Sequence, residues 1–282
     1  MIVFWDGFEK DLRDFENYLK QYFDEHFENG EFKKIVSYSL IDTGGKRIRP
    51  LLLIKTALSL GVEFQTAYKF GVAIECIHTY SLIHDDLPSM DNDTYRRGFL
   101  SAHAKYGEPL AILSGDALLN FAYEVLFDAD FLNNQIRKAA ENIARFAGNQ
   151  GMIKGQVLDM NLIKAESKDL KEQIYQIHLN KTSALIRAAI KAGAIIGNID
   201  DDEISHLDEY ACNMGMCFQI LDDISDFQTD KNKLSHPKIF GLENSLKEAQ
   251  KFKQKAYEAL KGAENKYIHL YQLLSKLTPT IF

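Results

Sequence analysis

Apolar residues recur at spacings of three and four along most of this 282-residue chain, and that period is the strongest limit on its fold. The first example is the series Phe8, Leu12, Phe15, Leu19 and Phe23, which has charged residues between its members. This spacing places apolar side chains on one face of a helix. No segment alternates in the way that predicts strands, and only five prolines and 17 glycines interrupt the pattern. We therefore predict an all-α fold, with residues 1–282 forming a single domain built as a bundle of about ten or more helices.

The limits of the predicted helices follow from glycine, proline and asparagine, which interrupt the apolar pattern. Asn29-Gly30 ends the first helix, and Pro88 ends the helix that precedes it. Residues 150–164 show no clear period and are not assigned to a helix. The predicted helices span residues 8–27, 32–41, 51–60, 64–86, 109–127, 134–149, 169–196, 201–227, 238–261 and 264–277.

Composition and charge exclude several classes of protein. The chain carries 33 basic and 40 acidic side chains, a net charge of −7, and it has no basic stripe. That argues against a nucleic acid as partner but leaves open a small anionic ligand. The three cysteines, Cys76, Cys212 and Cys217, form neither a zinc motif nor a disulfide framework. Because there is no signal-peptide pattern and no apolar run of about 18 residues, we expect a cytoplasmic protein without a membrane span.

Residues 78–93, HTYSLIHDDLPSMDND, place the carboxylates Asp85, Asp86 and Asp91 close together at the end of a predicted helix. Such a group repels itself unless a positive charge lies between its members. Oxygen ligands with the basic residues Arg96 and Arg97 nearby favour Mg²⁺ that holds a phosphate. The alternative is a solvated acidic turn, which is the usual explanation of an isolated pair of aspartates.

Residues 44–50, GGKRIRP, crowd Lys46, Arg47 and Arg49 at the start of a predicted helix. A helix N-terminus already favours anions, so three cations there oppose the usual preference for acidic side chains. An anionic ligand would relieve the conflict. A basic turn that pairs with the acidic surface is the alternative, and this segment alone does not decide between the two.

One face of the predicted helix 64–86 carries His78, Ser81 and Asp85, at positions i, i+3 and i+7. His78 lies about 10 Å before Asp85 along the helix axis. A lone histidine on such a helix is usually a core residue, but the shared face makes contact with a ligand a second possibility.

A second acidic cluster, Gln219, Asp222, Asp223 and Asp226, lies beside an apolar stripe in the predicted helix 201–227. Like charges one turn apart destabilise a bare helix, and a shared cation would remove that cost. Lys181, followed by Thr182, interrupts an apolar stretch, so its ammonium group must reach solvent or meet an anion. Two carboxylate clusters and several basic sites together favour binding of Mg²⁺ and diphosphate over a solvated surface.

These segments resemble the trans-isoprenyl diphosphate synthases, and in particular the bacterial farnesyl diphosphate synthases, along nearly the whole chain. ECIHTYSLIHDDLPSMDNDTYRRG is similar to the first aspartate-rich motif, and LDDISD at 221–226 is similar to the second. Residues 44–50 match the family's GGKRxRP, while Lys181-Thr182 and Phe218-Gln219 match its KT and FQ elements. The resemblance implies the isoprenoid synthase fold, in which the helices surround a central cavity, and a homodimer.

The resemblance also implies the reaction, a head-to-tail condensation of isopentenyl diphosphate with dimethylallyl or geranyl diphosphate. The implied Mg²⁺ ligands are Asp85, Asp86, Asp91, Asp222 and Asp226. Arg96, Lys181 and Lys233 are implied to neutralise the allylic diphosphate, and Lys46, Arg49, His78 and Arg97 to bind isopentenyl diphosphate. The allylic C–O bond ionises, Thr182 and Gln219 stabilise the cation, and no nucleophilic side chain is needed.

Product length is implied by the residues just before the first aspartate. Ser81 is small and shares the face of Asp85 along which the product chain is implied to descend, while Tyr80 is implied to flank the floor of the cavity, as in bacterial synthases of the 15-carbon product. Alternatives are a geranylgeranyl diphosphate synthase and a non-catalytic regulatory subunit. A terpene cyclase is a further alternative, but it needs no second diphosphate site. Residues 44–50 and His78 provide such a site and therefore argue against a cyclase.

Two segments depart from the family pattern. The loop after Asp226 is short and keeps only Lys231 and Lys233, and the chain ends in TPTIF without a basic tail. Closure of the site over the allylic diphosphate is therefore an open question.

Overall fold

The computed structural model describes residues 8–128, 133–162, 170–227 and 234–277, and helices dominate these ranges. The α-helices are α1 (Glu9–His26), α2 (Glu31–Ser37), α3 (Ile48–Ser59), α4 (Phe64–Asp85), α5 (Ala102–Tyr106), α6 (Glu108–Leu126), α7 (Asn134–Ala147), α8 (Met152–Leu162), α9 (Leu170–Ile177), α10 (Ala184–Ile196), α11 (Asp201–Ser225), α12 (His236–Phe240), α13 (Leu242–Ala259) and α14 (Ile268–Ser275). Two π-helical segments cover Tyr38–Asp42 and His178–Ser183, and two short strands are β1 (Tyr95–Arg96) and β2 (Phe99–Leu100). The prediction of an all-α fold is confirmed.

The described residues form two compact units. The first, called here the N-terminal unit, contains residues 8–54 together with the described residues of Glu63–Arg137. The second, the C-terminal unit, contains Lys55–Val62 and the described residues from Lys138 onward. The organisation as a single domain stays a prediction.

Helix α4 is the central element of the N-terminal unit, since apolar side chains cover nearly all of its circumference. Its buried residues include Phe70, Ile74 and Ile77, each with no exposed surface. Close packing depends on Gly71, where a Cβ atom would lie 2.7 Å from Cδ1 of Ile54. A helix fixed on so many sides is a rigid support for side chains at its C-terminal end.

Helix α11 has the same central role in the C-terminal unit, where it packs against α10 and α13. Tyr210 is fully buried on α11, and its hydroxyl group donates to the carbonyl of Leu270 at 2.8 Å. At Gly215 a Cβ atom would lie 2.7 Å from Cα of Ser183, so glycine permits the close approach of α11 to the second π-helical segment.

Several helix boundaries differ from the predicted ones. The predicted helix 169–196 is interrupted by the π-helical segment His178–Ser183, and residues 152–162, which were not predicted as helical, form α8. These differences are connected, because a Cβ atom at Gly155 of α8 would lie 2.0 Å from the backbone nitrogen of Lys181. The predicted helix 238–261 begins only after Gly241, whose φ of 83° ends α12. Such long-range packing is invisible to a local periodicity.

None of the helices in the described ranges has both the length and the apolar character needed to cross a membrane.

Candidate active site

The turn before α3 directs one of its three cations inward. Gly44 and Arg47 have left-handed backbone conformations, with φ of 64° and 48°. Arg47 is 3% exposed, and its guanidinium group donates to Glu75 Oε1 at 2.5 Å and to the carbonyl of Leu40 at 2.8 Å. Arg47 is therefore buried and bonded to other parts of the protein, although the sequence grouped it with Lys46 and Arg49 as a cation that could meet a ligand.

Arg49 and His78 come together as predicted. Nη1 of Arg49 lies 3.3 Å from Nε2 of His78, and Lys46 is exposed at the start of the same turn. Burial and the positive charge of nearby arginines, Arg49 first, hold the pKa of His78 well below its ordinary value. His78 is therefore neutral, and Nε2 accepts the hydrogen bond because a guanidinium group can only donate.

Arg96 and Arg97 lie on a tight hairpin that the sequence did not predict. Strands β1 and β2 pair in antiparallel fashion, with Arg96 opposite Phe99. Arg97 and Gly98 have φ of 56° and 82°, which are the conformations of a type I′ turn. The turn sends the two arginine side chains to different partners: Arg97 Nη1 donates to the carbonyl of Gly44, while Arg96 binds Asp86.

The first aspartate motif bends back at the end of α4, as the position of Pro88 predicted. The backbone nitrogen of Asp91 donates to the carbonyl of Asp85 at 2.9 Å, so the first and last aspartates of the motif are neighbours. Both side chains are partly exposed. This turn places two carboxylates where they can share one cation.

Asp86 has a different environment from its two neighbours in the motif. It is 3% exposed, and Nε of Arg96 donates to its two oxygens at 2.9 and 3.2 Å. Burial raises the pKa of Asp86, and the hydrogen bonds from Arg96 oppose that rise. Both oxygens of Asp86 are thus bound to Arg96, and the expected role of Asp86 as a metal ligand stays a prediction.

The donor set fits Mg²⁺ bound together with a phosphate. Among the described residues, no group of three or more His, Cys, Asp or Glu side chains forms a closed metal site. Mg²⁺ commonly uses one or two carboxylates and takes its other ligands from water and substrate phosphates. Asp85 and Asp91 are two carboxylates of this kind.

In the C-terminal unit, Lys181 forms an ion pair with Asp159, which is one of the two outcomes expected for a lysine in an apolar stretch. Its Nζ atom donates to Asp159 Oδ2 at 2.7 Å. Lys181 and Thr182 both lie in the π-helical segment His178–Ser183, and π-helical turns frequently occur at functional sites. Asp159 was not assigned a role from the sequence, because the ion pair joins α8 to a segment 22 residues later.

Thr182, Gln219 and Asp223 form a continuous chain of hydrogen bonds. The hydroxyl of Thr182 donates to Gln219 Oε1 at 2.5 Å, and Nε2 of Gln219 donates to Asp223 Oδ1 at 2.9 Å. Asp223 also accepts from the backbone nitrogen of His236 at 2.8 Å and lies 3.1 Å from Nε2 of His178. Burial alone would raise the pKa of Asp223, but these hydrogen bonds hold it below its ordinary value.

Asp222 lies in the last turn of α11, and Asp226 directly follows the helix. The two are one turn apart, and the backbone nitrogen of Asp226 donates to the carbonyl of Asp222 at 3.0 Å. The sequence grouped Asp223 with them by spacing, whereas its contacts show that it orients Gln219. Lys233, expected to bind the allylic diphosphate, lies outside the described residues, as does Lys231.

Tyr80 and Ser81 lie on α4 near its C-terminal end. Tyr80 is 6% exposed, and its ring packs edge-on against His84 with centroids 5.8 Å apart. Ser81 is turned toward its own helix, since its hydroxyl donates to the carbonyl of His78 at 2.8 Å. Of the two residues, Tyr80 alone contributes large volume at this depth.

Comparison with known proteins identifies the family of this chain. A family described as Polyprenyl synthetase matches residues 30–274. The farnesyl diphosphate synthase of Geobacillus stearothermophilus is 42% identical over 226 residues, which cover 79% of this chain and 75% of that protein. The geranylgeranyl diphosphate synthase of Cyanophora paradoxa is 37% identical over 254 residues, 83% of each chain.

Solved structures give the same result. An FPP/GFPP synthase from Zymomonas mobilis superposes with a TM-score of 0.87 at 32% identity, covering 94% of this chain and 96% of that one. A geranyltransferase from Helicobacter pylori, complexed with magnesium and isoprenyl diphosphate, superposes with a TM-score of 0.80 at 31% identity over 95% of each chain. The chain therefore belongs to the polyprenyl synthetase family and is a trans-prenyltransferase with the isoprenoid synthase fold.

Proposed function

We propose that this protein condenses isopentenyl diphosphate with dimethylallyl and then geranyl diphosphate, head to tail, to give (2E,6E)-farnesyl diphosphate. The observation that carries this proposal is the arrangement along α4. His78 with Arg49 forms a basic group, and Asp85 with Asp91 forms an acidic group, seven residues farther along the same helix. A basic group binds a diphosphate directly, whereas an acidic group binds one through a cation, so the helix suits two different diphosphates.

In this proposal, the carboxylates that would bind Mg²⁺ for the allylic diphosphate are Asp85 and Asp91 of the first motif, and Asp222 and Asp226 of the second. Bound Mg²⁺ supplies a Lewis-acid charge that stabilises the departing diphosphate. Arg96, Lys181 and Lys233 neutralise the same group. Asp86 and Asp159 hold Arg96 and Lys181 in place through the ion pairs described above.

Lys46, Arg49, His78 and Arg97 bind the diphosphate of isopentenyl diphosphate. The allylic C–O bond breaks, and its electron pair leaves with the diphosphate. The double bond of isopentenyl diphosphate then forms the new C–C bond, and the released diphosphate accepts the proton that is lost. Thr182 and Gln219 present oxygen dipoles to the developing cation, and the hydrogen bond between them fixes both side chains.

Incubation of the purified protein with Mg²⁺, isopentenyl diphosphate and geranyl diphosphate tests this reaction, with the product identified by mass spectrometry. Asp85→Asn should lower kcat at least about a hundredfold, because metal stabilisation supplies several kcal/mol in the transition state. Asp14→Asn, which removes an exposed carboxylate of the same unit, is the control and should leave kcat unchanged. A wild-type protein that forms no condensation product would show instead a non-catalytic regulatory subunit.

We propose the 15-carbon product because Tyr80 places an aromatic ring five residues before Asp85 on α4. Tyr80→Ala removes that ring and should yield geranylgeranyl diphosphate in addition to farnesyl diphosphate. Ser81→Ala is the matched control, since it removes only a hydroxyl bound to the helix backbone. If Tyr80→Ala makes the same products as the wild type, Tyr80 does not limit chain length. A wild type that makes geranylgeranyl diphosphate would favour the alternative activity.

We also propose a homodimer. Helix α6 carries the exposed apolar residues Leu110, Ile112 and Leu113, with 37%, 38% and 52% exposure. Light scattering of the purified protein should give twice the chain mass of 32.2 kDa. Leu113→Lys should then shift the equilibrium toward the single chain.

A further inference from the structure

The ion pair between Arg47 and Glu75 is unusually deep for two charged side chains. Both side chains are 1% exposed, and Nη1 of Arg47 lies 2.5 Å from Oε1 of Glu75. Nη2 of Arg47 donates to the carbonyl of Leu40 at 2.8 Å, while its Nε atom lies 3.5 Å from Glu16 Oε1. Arg47 is therefore held by two hydrogen bonds, to Glu75 and to the carbonyl of Leu40, and by a longer ion pair to Glu16.

Stability alone explains this pair poorly. Oε2 of Glu75 is buried and has no hydrogen-bond partner in the described part of the chain. A buried oxygen left unsatisfied costs free energy, and burying two charges costs more than most ion pairs return. Arg47 also adopts a left-handed backbone conformation with φ of 48°, which is uncommon outside glycine. A pair with these costs is better explained by the geometry that it imposes.

The pair fixes the turn that carries Lys46 and Arg49, the side chains proposed above to bind isopentenyl diphosphate. Glu75 precedes His78 by three residues on α4, about 4.5 Å along the helix axis. Arg47 precedes Arg49 by two residues in the turn. The Arg47–Glu75 pair and the Arg49–His78 contact at 3.3 Å are thus two successive links between the same turn and the same helix.

Gly45 connects this pair to a third arginine. A Cβ atom on Gly45 would lie 3.0 Å from Nη1 of Arg47 and 2.9 Å from Nη1 of Arg97. Arg97 in turn donates to the carbonyl of Gly44. The backbone of the turn therefore lies between two guanidinium groups, and a shift of Arg47 would be transmitted to Arg97.

We propose that Arg47 and Glu75 are positioning residues for isopentenyl diphosphate: their ion pair fixes the turn that carries Lys46 and Arg49 against the part of α4 that carries His78. The pair touches no substrate and acts through those three side chains and Arg97. This inference rests on the proposed function, because it assigns a role to a substrate subsite of that reaction.

The test compares the two substrates in Arg47→Met and Glu75→Gln. The KM for isopentenyl diphosphate should rise at least tenfold in both, while the KM for geranyl diphosphate stays within twofold of the wild-type value. Arg47→Lys retains the charge but not the second contact to Leu40, so its KM should be intermediate. Equal changes in the two KM values, or no change, would overturn the proposal.

The matched control is Arg187→Met, which breaks another ion pair of low exposure. Nε and Nη2 of Arg187 donate to the two oxygens of Asp208 at 2.7 and 2.8 Å. This variant should lose thermal stability, as Arg47→Met does, but keep both KM values. If it raises the KM for isopentenyl diphosphate as strongly, the effect is a general loss of structure and the proposal fails.

Calorimetry with isopentenyl diphosphate alone separates this inference from the proposed reaction. A wild-type protein that binds isopentenyl diphosphate but forms no product disproves the reaction, while weaker binding to folded Glu75→Gln still supports the positioning role. Glu75→Gln keeps the shape of the side chain and one acceptor oxygen, so it is the variant expected to fold best. Unchanged binding in folded Glu75→Gln would refute the role of the pair.

Discussion

Replacing Asp86 by asparagine separates two roles that this carboxylate could have in the first aspartate motif. The family resemblance makes it a magnesium ligand, whereas the structure binds it to Arg96. The substitution keeps the size of the side chain and removes its charge. It therefore weakens the anchor of Arg96, since only one uncharged acceptor oxygen remains, and it opens no cavity.

The contacts give the size of the effect. Nε of Arg96 donates to the two oxygens of Asp86 at 2.9 and 3.2 Å, and Nη2 also donates to one of them. Hydrogen bonds to a charged group contribute about 1.5–3 kcal/mol, and the lower end applies because the Arg96 side chain is 34% exposed. A loss of about 1.5–2 kcal/mol should lower Tm by about 3 °C in a chain of this size.

Kinetic assays should show the consequence for the substrate. A guanidinium group without its anchor binds the allylic diphosphate less well, so the KM for geranyl diphosphate should rise about tenfold, equivalent to about 1.4 kcal/mol. The KM for isopentenyl diphosphate should change less than twofold. In the double variant with Arg96→Lys, the two effects should not add, because both substitutions break one contact.

A magnesium titration decides between the roles. Asp85→Asn should raise the Mg²⁺ concentration needed for half-maximal activity, whereas Asp86→Asn should leave it within twofold of the wild-type value. If Asp86→Asn raises that concentration as much as Asp85→Asn does, Asp86 is a metal ligand and the reasoning from its contacts is wrong.

Three further predictions concern other parts of the chain. Gly155→Ala should destabilise the protein by about 3 kcal/mol in denaturant unfolding, because the new Cβ atom would lie 2.0 Å from the backbone nitrogen of Lys181; a loss below about 0.5 kcal/mol would contradict the close approach of α8. Asp159→Asn should raise the KM for geranyl diphosphate about threefold to tenfold and leave that for isopentenyl diphosphate unchanged, since it removes the 2.7 Å ion pair that orients Lys181. Burial, with a smaller contribution from Lys55, lowers the pKa of His269 to about 3. Below about pH 6.5 the unfolded chain therefore binds a proton at this histidine, while the folded protein does not until the pH falls to about 3. Stability should therefore fall with pH from about 6.5 toward 3, by up to about 1.4 kcal/mol per pH unit from this residue, and the slope should be shallower in His269→Gln; equal slopes in the two proteins would refute the assignment.

Local patterns in the sequence were sufficient for the features that a single segment controls. The spacing of apolar residues predicts α1, α4, α6 and α11 to within two residues at each end, because each helix buries one continuous face or all of its surface. The shared face of His78 and Asp85 follows from the helix period alone. Pro88 ends α4, so the return of Asp91 toward Asp85 could also be predicted.

The partner of each charged side chain was decided only by the tertiary structure. Arg47 and Arg49 are two residues apart and chemically alike, yet Glu75 takes one into the core and His78 meets the other. Asp86 and Asp223 look like their neighbours in the two aspartate motifs, but Arg96 binds the first and Gln219 the second.

The same is true of the second π-helical segment, His178–Ser183, which other helices approach closely. Gly155 of α8 and Gly215 of α11 lie against the second segment, which carries Lys181 and Thr182. The sequence by itself thus determined the helical class and the set of residues predicted to bind magnesium and diphosphate. Tertiary packing decided which of those residues are buried and which are paired with other side chains, because burial and ion pairing depend on residues far away in the chain.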